Sequence, residues 1–269
     1  MNHVTIDRRS FLLPSNWNEL APWQVLLVAG LFTRKLSAAE FKLRALFGFL
    51  RIRPAMAKRI HPEDAFFLSH SLDFLLQEVD LTRNPLPQFR QGLRKYYGPT
   101  DGLLNCTFGE FTRACSLFEA YSALKDEAFL DEMVAVLFRP RKWLWNIRRH
   151  FTDDQDCRKR FVRRTLSKRS ARFSTLDPGI KNAAFLFFSG VLASLPRQFP
   201  FVYGQKETDG NSDNNWATLI ISLAEGRTDD ESLEKITGSN LYNVLIGLNK
   251  KAKEYQEYQS KIESHDRHR

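Results

Sequence analysis

At 269 residues, with 43% hydrophobic and 13% aromatic content, the chain can bury one substantial core or two smaller ones, which excludes disorder throughout. Twenty-two Phe against 13 Gly and 11 Pro, with few β-branched runs, favour helices packed through large side chains over a turn-rich sandwich. The formal charge of +9 is concentrated in one place: residues 139 to 172 hold 13 Lys or Arg against three Asp, a local balance of +10.

In chain order, residues 1 to 14 read as an extended arm. Ser15 or Asn16 then caps a short turn that leads into an apolar helix from Pro22 to Phe32, with proline in its first turn. Arg8-Arg9-Ser10-Phe11-Leu12-Leu13 has the look of a twin-arginine export signal. Asn16, Asn18 and Glu19 interrupt it, Arg34 and Lys35 follow the apolar run, and no small-residue cleavage site comes next, so a buried helix is the reading. Ser37-Ala38-Ala39-Glu40 has capping-box spacing and opens a helix from 38 to about 51, with Phe41, Leu43, Leu46, Phe47 and Leu50 at helical intervals. Pro62 opens a third helix, expected to end near Leu81.

The breaks at Asn84-Pro85-Leu86-Pro87 and at Tyr97 to Gly102 suggest a boundary between an N-terminal helical region, 1–100, and a C-terminal one, 101–269, although the two are also compatible with one continuous domain. Thr107-Phe108-Gly109-Glu110 is a second capping box, introducing a helix with Phe111, Ala114, Cys115, Phe118 and Tyr121 on one stripe. Asp126 caps the next helix, which runs to Phe138, and the pair is expected to form an antiparallel hairpin. Thr175 to Pro178 starts the most hydrophobic helix, expected at the centre of the core. Its apolar stretch, Ala183 to Leu195, is shorter than the ~20 residues that span a bilayer. The polar run after Tyr203 reads as an exposed loop to Asn215, and Trp216 reopens the core pattern with Leu219, Ile220 and Leu223. A last helix from Leu241 to about Ser260 is followed by a charged tail, 264 to 269, expected to fray. The expected fold class is therefore all-α, a multi-helix bundle built from helical hairpins.

Chemistry is sparse by comparison. Cys106, Cys115 and Cys157 are odd in number and lack CxxC spacing, so neither a disulfide framework nor a zinc knuckle is indicated, and a reducing cytoplasm fits. The histidines show no i,i+4 pair with a carboxylate between, and no nucleophile elbow or phosphate-cradling glycine loop occurs. No catalytic residue, metal site or cofactor is therefore assigned. Glu231 to Lys251 has a helix-turn-helix look, which plain packing of a short helical hairpin explains equally. The basic segment is the strongest direct signal. Arg141, Lys142, Trp143, Trp145, Arg148, Arg149, Arg158, Lys159, Arg160, Arg163 and Arg164 combine cations with aromatic faces in the way that partner-binding surfaces do, for phosphates and bases among others. Equally, Trp143, Leu144, Ile147, Phe161 and Val162 can be the buried side of two short helices whose charges are simply solvated.

Three stretches in order carry a family resemblance: Thr107-Phe108-Gly109-Glu110-Phe111 on to Arg139-Pro140; Ala183 to Tyr203 with Leu195-Pro196-Arg197-Gln198-Phe199-Pro200; and Trp216 to Lys253 with Leu241-Tyr242-Asn243-Val244-Leu245. In these, spanning roughly 105 to 255, the chain resembles helical tail assembly chaperones and related tail-morphogenesis proteins of phages and prophages of Bacteroidetes-type hosts. The resemblance implies a non-catalytic protein of the host cytoplasm that holds a tape-measure or other tail protein during assembly; the lengths of the two apolar stretches separately give the expectation that no segment crosses a membrane. It brings no catalytic residue to carry over. The strength of the basic run departs from that family and keeps nucleic acid as the alternative partner; a helical virion component is a third reading.

Overall fold

The computed structural model describes residues 2–6, 9–51, 60–148, 156–203, 223 and 229–266. It is an all-α fold, with 66% of the described residues helical and 8% in strands. Its helices are α1 Pro22–Leu31, α2 Ala38–Phe49, α3 Pro62–Ser69, α4 Phe108–Leu124, α5 Glu127–Leu137, α6 Trp145–Arg148, α7 Leu166–Phe173, α8 Pro178–Gln198, α9 Pro200–Tyr203, α10 Asp230–Gly238 and α11 Leu241–Asp266. Most begin where a side chain can take a free backbone amide. Ser37 Oγ accepts from Glu40 N–H at 3.3 Å while the Glu40 carboxylate accepts from Ser37 N–H at 3.2 Å, completing the expected box at α2. Asp126 accepts from Ala128 N–H at 2.9 Å to start α5, and Asp177 accepts from Gly179 N–H at 2.7 Å to start α8 behind Pro178.

Two short hairpins depart from the reading of the sequence. The arm expected to be extended doubles back as β1 Asn2–Ile6 and β2 Arg9–Leu13, pairing Asn2 with Leu13 and Ile6 with Arg9. The region of the two breaks, Asn84 to Gly102, read as a boundary, contains β3 Gln88–Gln91 and β4 Arg94–Tyr97, joined through Gly92 at φ +57°. Phe89 and Tyr96 face each other across this ladder and both are buried, with Phe89 meeting Phe138 and Phe173 at 5.1 and 5.4 Å between ring centroids. The hairpin is a plug for the core, not a linker.

The third helix also ends early. After Ser69 the chain tightens into a 3-10 helix over His70–Leu76, because the buried positions Ser69, Leu72 and Leu75 are spaced by three, the period of that helix. At the other end of the chain, α11 continues past the expected end to Asp266. The loop after Tyr203, with Trp216, Leu219 and Ile220, lies outside the described residues, as do residues 267–269.

A single cluster of buried side chains runs from Leu13 to Leu245, so the regions 1–100 and 101–269 share one core. The helix α8 lies at its centre between α1 and α5. It is 21 residues, long and apolar enough to cross a membrane by length and composition, and 56% of its most apolar window is buried inside the fold. Gly190 lets the chain at Leu81 cross it: a Cβ at that position would sit 2.4 Å from both the backbone N and O of Leu81. Backbone cannot swing aside as a flexible side chain can. Gly190→Ala is therefore expected to lower the unfolding free energy by about 3 kcal/mol, read from the urea midpoint at unchanged slope.

Candidate partner-binding surface

The segment that follows α5 leaves the helix in extended form, and extension decides which of its charges point inward. Arg139 pairs with Tyr97 of β4 through two backbone hydrogen bonds, Tyr97 N–H to Arg139 O at 2.8 Å and Arg139 N–H to Tyr97 O at 3.0 Å. On its other side the same segment pairs with residues 157–159, Lys142 N–H donating to Cys157 O and Lys159 N–H to Pro140 O, each at 2.8 Å. Side chains alternate across such a ribbon. Arg139 and Arg158 accordingly turn into the protein, fully buried, while Lys159 points out.

The two buried guanidinium groups meet two carboxylates. Arg139 lies 2.5 Å from Glu110 Oε1 and 3.2 Å from Asp156 Oδ2; Arg158 donates from Nε to Asp156 Oδ1 at 2.9 Å and from Nη2 to Glu110 Oε2 at 3.3 Å. The quartet is neutral as a whole, the condition under which buried charge is tolerated. Arg158 spends its remaining donors on Leu137 O at 2.8 Å, Asn105 O at 3.1 Å and the Cys106 sulfur at 3.6 Å. Burial pushes the Cys106 thiol up to about 12, so it stays protonated, and the carboxylates hold Arg158 charged. Arg158 therefore belongs inside: it cannot meet an external phosphate, and its place among the expected partner contacts is corrected. Glu110 explains why the second capping box is half made. Thr107 Oγ1 accepts from Glu110 N–H at 3.3 Å, but the carboxylate is turned to the arginines instead of back to the cap.

A third buried cation, Arg169 on α7, donates from Nε to Ala135 O at 2.7 Å. Burial, with Arg139 nearby, lowers it to about 10, still charged at neutral pH. The remaining described members of the basic run form the surface. Lys159, Arg160, Arg163 and Arg164 are exposed, with Arg160 reaching Glu234 of α10 at 2.6 Å. Arg141 and Lys142 are half-buried, Arg141 over the Tyr97 ring at 5.7 Å and Lys142 over Trp145 at 5.4 Å while its ammonium donates to Asp156 O at 2.7 Å. Arg148 closes the single turn of α6, and Arg149 lies outside the described residues.

The apolar members of this segment are outside as well. Trp143 is 77% exposed, Ile147 57%, Val162 44% and Leu144 43%, with Leu144 held at φ +57° in the turn before α6. Phe161 alone of the five packs against the core, so the reading of two short helices with a buried apolar side fails for the other four. Trp143, Leu144, Trp145 and Ile147 share a shallow depression of about 490 Å³ with Arg141, Lys142 and Lys159. Beyond Lys142 it adjoins a larger cleft of about 1340 Å³, floored by one face of α4 with Thr112, Arg113 and Ser116 and walled by residues 160–163 and by α10. The α10–α11 pair, read as a helix-turn-helix look, packs here against α4 through Gly109, where a Cβ would come 2.9 Å from the Thr237 Cβ. Thr237 thus fills the notch that the glycine leaves.

The sequence reading missed the carboxylates of this region because Glu110 had an adequate local role as a capping residue and Asp156 sat among basic neighbours. Among the described residues, no group of three or more His, Cys, Asp and Glu side chains is placed to hold a metal ion. No family model, curated protein or solved structure matches the chain.

Proposed function

We propose that this chain is a non-catalytic helical binding protein that takes an acidic, amphipathic segment of a partner protein on the surface formed by residues 141–147 and 159–164. The observation that carries the reading is the exposure of Trp143, Leu144 and Ile147 among cations. Tryptophan alone would suit a nucleobase, since stacking needs a flat π face. Leucine and isoleucine have none, whereas the apolar stripe of a helix covers both kinds of side chain and its acidic flank meets Lys159, Arg163 and Arg164. The exposed apolar residues and the cations around them thus ask for one ligand with an apolar face and negative edges. The resemblance to tail assembly chaperones makes a phage tape-measure protein the first client to test, in a bacterial host cytoplasm.

The nucleic-acid reading uses the same exposed cations and predicts a different salt response. Co-purification of the tagged chain from cells expressing neighbouring genes, with nuclease treatment and a salt series, separates the two. Retention of a protein with acidic amphipathic helices after nuclease supports the proposal. Recovery of nucleic acid alone, lost steeply as salt rises, refutes it.

A further inference from the structure

The 26 residues of α11 make a rod about 39 Å long, and only its first half is built into the fold. Leu241 and Leu245 are fully buried and Leu248 packs on the core, while the Phe201 amide donates to Asn249 Oδ1 at 3.0 Å and the Phe201 ring lies 6.0 Å from the Lys253 ammonium. From Lys253 to Ile262 every side chain is exposed. A single helix of this length gains little from its own hydrogen bonds in water. Two of its i,i+4 ion pairs, Lys250–Glu254 at 3.9 Å and Lys253–Glu257 at 3.8 Å, are long and run in the weaker order, lysine before glutamate.

The apolar stripe does not stop where the body stops. Leu241, Val244 and Leu248 are followed, past Lys251 at the next position of the same alternating spacing of three and four, by Tyr255, Tyr258 and Ile262, which are 58%, 63% and 45% exposed. With Tyr255 and Ile262 as one seam position and Tyr258 as the other, Glu254 and Lys261 occupy equivalent places along one flank of the seam. We infer that residues 251–262 pair with the same segment of a second copy of the chain, antiparallel, with each Tyr255 against Tyr258 of the second copy. That register sets Glu254 beside Lys261 of the second copy and, by two-fold symmetry, Lys261 beside its Glu254. A parallel pair would instead set Lys251 against its own equivalent in the seam and leave Glu254 opposite Gln259. Charge selects the antiparallel arrangement.

Sedimentation velocity on the full chain over a concentration series tests this. Wild type is expected to dimerise reversibly in the micromolar range. Glu254→Lys and Lys261→Glu, which place like charges together twice per dimer, each weaken association by roughly tenfold. An equimolar mixture of the two single variants restores it, because each lysine at 254 then meets a glutamate at 261. Circular dichroism of each variant shows that the helix itself persists. A wild type that is monomeric throughout, single variants that associate like wild type, or a mixture that fails to recover each overturns the proposal.

Discussion

Arg158→Met is expected to lower the unfolding free energy by about 4 kcal/mol, while Lys159→Ala, one residue along and of the same charge, changes it by less than about 0.5 kcal/mol. Methionine keeps the apolar stem of arginine but takes one of the two buried guanidinium groups away from Glu110 and Asp156, which leaves the cluster with a net negative charge. It also removes the donors to Leu137 O, a buried contact, and to Asn105 O. Against a total stability of about 5–15 kcal/mol for an ordinary domain, the loss leaves a narrow margin. Arg158→Lys is a second measure. A single ammonium cannot serve the two carboxylates and two carbonyls together, so it recovers less than half of the deficit. Urea titration reads the totals. Hydrogen exchange reads the place: the amides of Lys142 and Lys159, which join the two extended segments, should lose protection before the core helices do. A loss of under about 1 kcal/mol for Arg158→Met would mean that the quartet is not what fastens residues 156–163 to the helices.

That contrast between neighbours marks where the sequence is readable and where it is not. Starts of α2, α5 and α8 are legible because Ser37, Asp126 and Asp177 act within three residues of themselves, and the central place of α8 follows from its own apolar content. The β3–β4 hairpin is invisible at four residues per strand. Its partner Arg139 lies 42 positions after Tyr97, and nothing local announces a pairing over that distance. The basic run was found as a run, yet its division into buried and outward residues depends on that same pairing. Arg139 and Arg158 face inward through strand alternation, and composition treats them no differently from Lys159 or Arg163. The exposed Trp143 and Ile147 went the other way. Apolar residues are expected to find cover, and here the turn at Leu144 leaves them without it. The most informative residues for function are the ones that break the rule.

Those residues yield the sharpest test of the proposed surface. Trp143→Ala is expected to weaken binding of an acidic amphipathic partner by about 30-fold, near 2 kcal/mol, the scale of a central aromatic anchor. The melting temperature should stay unchanged, because an indole already 77% exposed contributes little to the fold. Arg163→Ala and Arg164→Ala should cost about fivefold each, mostly in association rate and mostly at low salt, as rim charges do. Ile147→Ala decides between partners. On a protein partner it joins Trp143 in the apolar contact and costs about tenfold, with no dependence on salt. On a nucleic acid an isoleucine side chain has nothing to stack on, so Ile147→Ala would be silent and the arginine substitutions would dominate, flattening the salt slope by roughly one charge apiece. Titration calorimetry of these four variants against the captured partner at two salt concentrations gives the order directly. An order with Arg163 and Arg164 first and Ile147 last would remove the apolar contact from the mechanism, and with it the case for a helical client.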